Sequence, residues 1–250
     1  MRVLVANDDG IEAPGLRLLA QAATGLSADV WIVAPERKWT AASHQLSFDR
    51  DLTLSRRGER EYVCTGSPAD CVIAAMNLLF SETPRPDLVL AGVNDKRNVG
   101  EDVVYAGTNA IGREASFWGV PAIAFSRDGP ASRDQGDLDH LQRVLRLLWG
   151  SRDHWIGAGC WLGVNLPARL PARLAEACIG RDKIGSAVDI VDTARDLVRF
   201  RLRRGRPGTA TEGDENASLA AGNITVVRYC ALGQDRLPES LLAQWHAGLG

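Results

Sequence analysis

Asp8 and Asp9 form an adjacent pair of acidic residues directly after the first apolar stretch of the chain, residues 2–6. Open α/β sheets bind ligands at the carboxyl ends of their strands, where such a pair would lie. Neighbouring carboxylates repel each other, so ionising both requires a compensating positive charge. Mg²⁺, Mn²⁺ or Ca²⁺ suits hard oxygen ligands of this kind. On position alone, a polar turn whose aspartates cap the following helix is an equally supported interpretation.

Two more polar loops, residues 36–44 and 94–100, also follow stretches that are predicted to be buried strands. If these strands are neighbours, their loops meet Asp8 and Asp9 at one edge of the sheet. An all-oxygen donor set with few thiols or imidazoles favours Mg²⁺ or Mn²⁺. The loops contribute hydroxyl, imidazole and amide groups at Thr40, Ser43, His44, Asn94 and Asn98.

Gly107 and Thr108 stand at the start of a predicted helix, residues 107–118. The first backbone N–H groups of a helix form a ready anion site. A hard divalent cation beside such a site indicates phosphate-ester chemistry, with the ion polarising a phosphoryl oxygen. Asp8 could also act as a nucleophile or as a general acid or base, and His44 could protonate a leaving alcohol or simply fix its loop. The residues leave these roles open.

A series of short sequence motifs carries a family resemblance. The motifs are dense over residues 1–126 and sparse from residue 170 onward. They are Asn7-Asp8-Asp9-Gly10 with Ala13-Pro14-Gly15, Ala42-Ser43-His44, Gly66-Ser67-Pro68-Ala69-Asp70-Cys71, Gly92-Val93-Asn94, Asn98-Val99-Gly100-Glu101-Asp102-Val103 and Gly107-Thr108. In this order they resemble the SurE family of metal-dependent nucleotidases. The resemblance implies hydrolysis of nucleoside 5′(3′)-monophosphates with a divalent metal, on a Rossmann-like sheet. It also implies a homodimer or homotetramer built through an exchanged C-terminal arm.

The resemblance also assigns roles to individual residues. Four residues would hold the metal, and two of these would also be catalytic. Three further residues would hold the phosphate. The metal ligands would be Asp8, Asp9, Thr40 and Asn94, with both aspartates catalytic, and the phosphate ligands Asn98, Gly107 and Thr108. Ser43 and His44 are possible accessory groups.

The chain departs from the family pattern near the site. Thr40 replaces a serine, Ala41 replaces a glycine, Asp95 begins a stretch that replaces a glycine-containing turn, and Ala106 replaces a serine. A β-branched side chain is stiffer than serine, and alanine restricts the backbone more than glycine does. The alternative is therefore a divergent homologue that binds metal and a phosphorylated ligand with weak turnover, or that acts on another phosphomonoester or a short polyphosphate.

The elements that must position these residues alternate between apolar stretches and amphipathic ones, which predicts a mainly parallel, doubly wound, Rossmann-like α/β sheet. Ser67 is a predicted helix N-cap, with Pro68 in the first turn. The predicted strands are 2–6, 29–34, 46–54, 61–65, 87–93, 121–126 and 160–165, and the predicted helices are 16–23, 68–80, 107–118 and 137–148.

Beyond residue 171 the alternation stops. The pattern there predicts a C-terminal arm: a hairpin of strands 183–192 and 197–203, a polar loop 206–216, a strand 223–229 and a helix 238–245. We therefore expect one domain over residues 1–250, with its core at about 1–170 and an extension at about 171–250.

Composition limits the class of protein. The net charge is −2, with 45% hydrophobic and 24% charged residues, so nothing favours a nucleic-acid polymer or an acidic membrane as partner. No leader or membrane-length apolar run is evident, which predicts a cytoplasmic protein. The five scattered cysteines show no metal-ligand spacing, and reduced, buried thiols are expected.

Other protein classes fit less well. A receiver-type signalling domain needs a phosphoacceptor aspartate near position 91, which is Ala91. A haloacid-dehalogenase phosphatase has alternating aspartates, whereas Asp8 and Asp9 are adjacent. A dinucleotide-binding oxidoreductase would carry Gly-x-Gly-x-x-Gly after the first strand, which this chain lacks.

Overall fold

A computed structural model describes residues 1–130, 134–181, 185–204 and 210–233. These residues form strands β1 (Arg2–Ala6), β2 (Asp29–Pro35), β3 (Leu54–Arg56), β4 (Glu61–Cys64), β5 (Leu88–Asn94), β6 (Ala122–Arg127), β7 (Cys160–Leu166), β8 (Leu174–Glu176), β9 (Gly185–Ala194), β10 (Leu197–Arg204) and β11 (Ile224–Cys230). The helices are α1 (Pro14–Ala23), α2 (Pro68–Ala74), α3 (Asp102–Tyr105), α4 (Gly107–Phe117), α5 (Gln135–Gly150) and α6 (Glu215–Ala220), with a π-helical turn at Ala75–Leu79 and a 3₁₀ turn at Arg152–His154.

Nine strands form one sheet in the order β3-β4-β2-β1-β5-β6-β7-β11-β8. The six strands from β4 to β7 run parallel, while β3 and β11 are antiparallel to β4 and β7. The predicted Rossmann-like, mainly parallel sheet is thus confirmed. Because β1 lies between β2 and β5, the loops that follow these three strands leave the same edge of the sheet.

Helices cover both faces of the sheet. Leu16 of α1 and Leu145 of α5 belong to one apolar core, and Val72 of α2 and Ile111 of α4 belong to the other. Strands buried on both faces must be apolar throughout, which is why β1 and β5 read as continuous hydrophobic runs. None of the helices in the described residues is both long and apolar enough to cross a membrane.

The start of α2 follows the predicted capping pattern. The Asp70 N–H donates to Ser67 Oγ over 3.1 Å, and the Ser67 N–H donates to Asp70 Oδ2 over 2.8 Å. This reciprocal pair satisfies N–H groups that the first turn leaves free. The predicted helix over 68–80 is α-helical only to Ala74 and continues as the π-helical turn.

Two local predictions are wrong. Residues 46–53 are not a strand, because only Leu54–Arg56 pairs with β4. The polar segment 206–216 contains the start of α6, where Asp214 Oδ1 accepts a hydrogen bond from the Ala217 N–H. An aspartate that caps a helix is as polar as one in a loop, so composition alone did not separate them. The short elements α3 and β8 were also not predicted.

The predicted C-terminal hairpin is present as antiparallel β9 and β10. Two strands beyond residue 171, β8 and β11, join the main sheet, so the sheet itself includes part of the extension. The predicted helix 238–245 lies outside the described residues.

The expectation of reduced cysteines fails for one pair. Cys160 and Cys230 form a disulfide. They face each other in the register of β7 and β11, which brings their Cα atoms to 4.1 Å. Sequence spacing could not indicate this contact, because 70 residues separate the pair. Cys64 and Cys71 are buried free thiols as expected, whereas Cys178 is free and exposed.

Candidate active site

Asp8 follows β1 and is buried against the start of α4. It is 7% exposed, and the Thr108 hydroxyl donates a hydrogen bond to Asp8 Oδ1 over 2.7 Å. A Cβ added to Gly107 would lie 2.6 Å from the Asp8 Cβ, so only glycine permits this approach. The fold therefore joins the first polar loop to the predicted anion site, 100 residues away in sequence.

The environment of Asp8 opposes its ionisation. Burial raises its pKa from 3.8 to about 6, and the negative charge of Asp9 adds to this rise. Hydrogen bonds from the Thr108 hydroxyl and backbone N–H act in the opposite direction. Two adjacent carboxylates at such a place need a cation if both are to be charged at neutral pH.

Lys38 supplies one positive charge that sequence reasoning missed. Its Nζ forms an ion pair with Asp9 Oδ1 and lies 3.3 Å from Asp95 Oδ2. Burial lowers the pKa of Lys38, but its contact with Asp9 outweighs this and raises the value overall. The only signal in sequence was a basic residue in the second polar loop, and basic loop residues are common.

Asn98 lies in a buried polar network. Its side-chain amide donates to Ser126 Oγ over 2.8 Å and approaches Thr108 Oγ1 at 3.5 Å. Because Thr108 in turn donates to Asp8, a chain of hydrogen bonds connects Asn98 to the carboxylate. The structure thus brings Asn98, Gly107 and Thr108 together with Asp8, as the sequence predicts, although the Thr108 hydroxyl is used by Asp8.

Asn94 and Thr40, the other two predicted metal ligands, differ in their burial and in their hydrogen bonds. Asn94 is buried at the end of β5, and its Nδ2 donates to the Lys96 carbonyl over 2.5 Å, which leaves its amide oxygen for another partner. Thr40 is exposed, and within the described residues its hydroxyl has no hydrogen bond to Asp8. Its loop is nevertheless tied to the site, because the Trp39 N–H donates to the Asp8 carbonyl over 2.7 Å.

Ser43 and His44 point to the helices beside the site. Ser43 Oγ donates to the Val104 carbonyl over 2.8 Å. His44 Nε2 lies 2.7 Å from Glu114 Oε2, and its ring stacks on Phe117 with centroids 5.8 Å apart. These contacts fix the loop against α3 and α4, and neither side chain has a hydrogen bond to the aspartates in the described part of the chain.

Ala41 has a backbone conformation that glycine would adopt more easily. Its φ is +54°, in the left-handed region. Ala41→Gly should therefore stabilise the protein by about 0.5–1 kcal/mol, as measured by urea unfolding. Ala42 does not have a positive φ. Ala42→Gly should therefore destabilise the protein by about 0.4–1 kcal/mol. An equal loss of unfolding free energy in both variants would show that the backbone of Ala41 is unstrained.

The donor set fits a hard divalent cation. Asp8 and Asp9 contribute carboxylates, Asn94 has its amide oxygen available, and the buried Asn7 Oδ1 has no hydrogen-bond partner in the described ranges. The described residues contain no cluster of three His, Cys, Asp or Glu side chains able to hold a metal. A cation here would therefore depend on amide and hydroxyl oxygens beside the two carboxylates, a set that suits Mg²⁺ or Mn²⁺ better than zinc.

Comparisons with known proteins identify the family of this chain. Residues 3–184 match the family model described as "Survival protein SurE". The chain is 37% identical to proteins named "5'-nucleotidase SurE" from Rhodopseudomonas palustris (strain BisA53), over 90% of this chain and 92% of that one, and from Bradyrhizobium sp. (strain ORS 278), over 96% of both.

Among solved structures, the SurE protein from Aquifex aeolicus aligns over 100% of both chains with a TM-score of 0.75. At 24% identity this likeness speaks for the fold alone. The family model covers most of the chain, and the curated relatives cover nearly all of it. This chain belongs to the SurE family.

Proposed function

We propose that this protein is a metal-dependent hydrolase that cleaves nucleoside 5′(3′)-monophosphates to nucleoside and phosphate. The observation that carries the proposal is the hydrogen bond between Thr108 and Asp8, because it joins the buried member of the acidic pair to the N-terminus of α4. Anionic phosphate is favoured at a helix N-terminus, and carboxylates hold the cation that such chemistry needs. The curated relatives named 5'-nucleotidase support the same activity.

The proposed metal ligands are Asp8, Asp9, Thr40 and Asn94. A bound Mg²⁺ or Mn²⁺ would neutralise the carboxylates and polarise a phosphoryl oxygen. The chain's own groups provide the positioning. Thr108 fixes the Asp8 carboxylate through Oδ1, while Oδ2 lies on the side of Gly107. This fixed orientation is what Asp8 contributes to the proposed site, where it would hold the metal and orient the attacking oxygen.

The proposed phosphate site is the start of α4. Ala106, the N-cap of α4, is extended and makes no side-chain cap. Because the Thr108 N–H already interacts with Asp8, the Gly107 and Asn109 N–H groups are the ones proposed for the phosphate. Asn98 adjoins this turn through Thr108 and completes the proposed phosphate site. Lys38 adds positive charge on the side of Asp9, which favours approach of an anionic substrate.

We also propose a cytoplasmic homodimer or homotetramer, one domain per chain, assembled through the extension at about 171–250. Support comes from the hairpin, where Val198, Phe200 and Leu202 of β10 are all exposed. An apolar surface of this kind is typical of a protein interface.

The activity is tested by a metal panel. Purified protein is incubated with Mg²⁺, Mn²⁺ or EDTA and with nucleoside 5′- and 3′-monophosphates, p-nitrophenyl phosphate and a short polyphosphate, and released phosphate is measured. We expect release from the nucleotides only when metal is present. Nucleotide binding without release would favour the divergent, weakly active alternative. Release that EDTA leaves unchanged would contradict the proposed metal dependence.

A further inference from the structure

Glu215 is a completely buried carboxylate at the start of α6, outside the site residues named so far. Its Oε2 accepts a hydrogen bond from the Gly100 N–H over 3.0 Å. Its Oε1 accepts from the Tyr229 hydroxyl over 3.0 Å and from Asn165 Nδ2 over 3.4 Å. Three donors from separate parts of the chain thus converge on one side chain.

Two of these donors lead to the proposed phosphate site. Asn165 Oδ1 accepts from the Asn98 N–H over 2.8 Å, and Asn165 Nδ2 donates to the Asn98 carbonyl over 3.0 Å. Gly100, two residues further on, has a φ of +57° and is held directly by Glu215. The backbone of residues 98–100 is therefore held at both ends by Glu215 and Asn165.

We propose that Glu215 is a positioning residue that sets residues 98–100 for phosphate binding. This inference rests on the proposed function, in which the Asn98 side chain contributes to the phosphate site. Glu215 lies behind the backbone of this loop and acts through Gly100 and Asn165, so it need not contact the substrate.

A neutral apolar residue at position 215 would leave buried donors without an acceptor. Unsatisfied buried donors are costly, so the Gly100 N–H and the Tyr229 hydroxyl would seek other partners and the loop would shift. Glutamine should preserve much of the arrangement. Its oxygen can accept from Gly100 while its amide donates to the Tyr229 oxygen, and only the Asn165 contact is lost.

The position of Glu215 also links the loop to the C-terminal hairpin. The Glu215 N–H donates to the Cys178 carbonyl over 3.1 Å, and the Cys178 N–H donates to the Gly213 carbonyl over 2.9 Å. Residues 178–180 precede the hairpin and residues 213–215 follow it. Glu215 therefore connects residues 98–100 to the two segments that flank the hairpin in sequence.

The test compares Glu215→Ala, Glu215→Gln and the control Leu145→Ala in the full-length, metal-loaded protein. Leu145 is completely buried in α5, so its loss destabilises the fold without removing a polar contact to the loop. Kinetic constants for a nucleoside monophosphate, the affinity for orthophosphate and the affinity for the metal are measured. We expect Glu215→Ala to raise KM and weaken orthophosphate binding about tenfold, with kcat and metal affinity nearly unchanged. Glu215→Gln should recover most of this loss.

Equal KM and orthophosphate affinity in wild type and Glu215→Ala would overturn the proposal, as would an equal effect of Leu145→Ala. If Glu215→Ala does not fold, the Gln variant and Tyr229→Phe decide. Tyr229→Phe removes a donor that holds the carboxylate, so it should accelerate hydrogen exchange at the Gly100 amide, whereas Glu215→Gln keeps an acceptor for this amide and should change its exchange little. Unchanged exchange in Tyr229→Phe would count against positioning. Hydrogen exchange and orthophosphate binding need no turnover, so failure of the wild type to release phosphate would reject the proposed activity separately.

Discussion

Asp8→Asn is expected to reduce metal-dependent phosphate release by at least about a thousandfold and, in the metal-free protein, to increase stability above pH 6. The first effect follows because, in the proposed site, the carboxylate would hold the metal and orient the attacking oxygen. The second follows from burial. Asp8 has a pKa of about 6 in the folded state against 3.8 ordinarily, so the folded protein binds its proton more tightly than the unfolded chain does.

This difference sets the direction of the pH dependence. Between pH 4 and 6 unfolding releases a proton, so the free energy of unfolding of the metal-free wild type falls as the pH rises. Above pH 6 the loss levels off at up to about 3 kcal/mol. Asparagine does not ionise and its oxygen still accepts the Thr108 hydroxyl, so the variant lacks this loss.

The measurement is urea unfolding in EDTA at several pH values, together with phosphate release in metal. Asp95→Asn is the matched control, since Asp95 is half-exposed and, within the described residues, its side chain contacts Lys38 only. An exposed ion pair contributes about 0–1 kcal/mol, so the control should show little change in either assay. Normal turnover in Asp8→Asn would exclude Asp8 from the chemistry, and a pH profile identical to wild type would reject the burial argument.

Gly107→Ala is expected to lower turnover about a hundredfold and to destabilise the protein by about 1–3 kcal/mol. The added Cβ would lie 2.6 Å from the Asp8 Cβ and 2.9 Å from Pro68 Cγ, so the start of α4 or the carboxylate must move. Either movement separates the acidic pair from the proposed phosphate site. Steady-state kinetics and thermal unfolding measure the two effects.

Gly136→Ala serves as the control for a glycine-to-alanine change in a helix. A Cβ added to Gly136 would lie 3.7 Å from Asp134 Oδ1, an ordinary van der Waals contact. Here alanine should leave turnover unchanged and stabilise α5 by about 0.5–1 kcal/mol. Wild-type kinetics in Gly107→Ala would mean that the closeness of α4 to Asp8 has no role in catalysis.

Local sequence was sufficient to predict an element wherever a single segment determines its own structure. Apolar runs predicted β1, β2 and β5, because a strand covered on both faces must be apolar throughout. Ser67 and Pro68 predicted the start of α2, since an N-cap and a first-turn proline act within one turn of the chain. Alternating strands and helices in turn predict a parallel sheet whose polar loops share one edge, which is the edge where Asp8 and Gly107 meet.

Contacts between distant segments were decided by the tertiary structure. These contacts join segments up to 115 residues apart: the ion pair of Lys38 with Asp9, and the hydrogen bonds of Thr108 to Asp8 and of Gly100 to Glu215. The disulfide between Cys160 and Cys230 closes a separation of 70 residues. Each partner alone resembles an ordinary loop or surface residue. Sequence determined which groups reach the edge of the sheet, whereas packing determined which of them are buried together. Burial is what raises the pKa of Asp8 and leaves Glu215 reliant on its donors, because charge is costly wherever water is excluded.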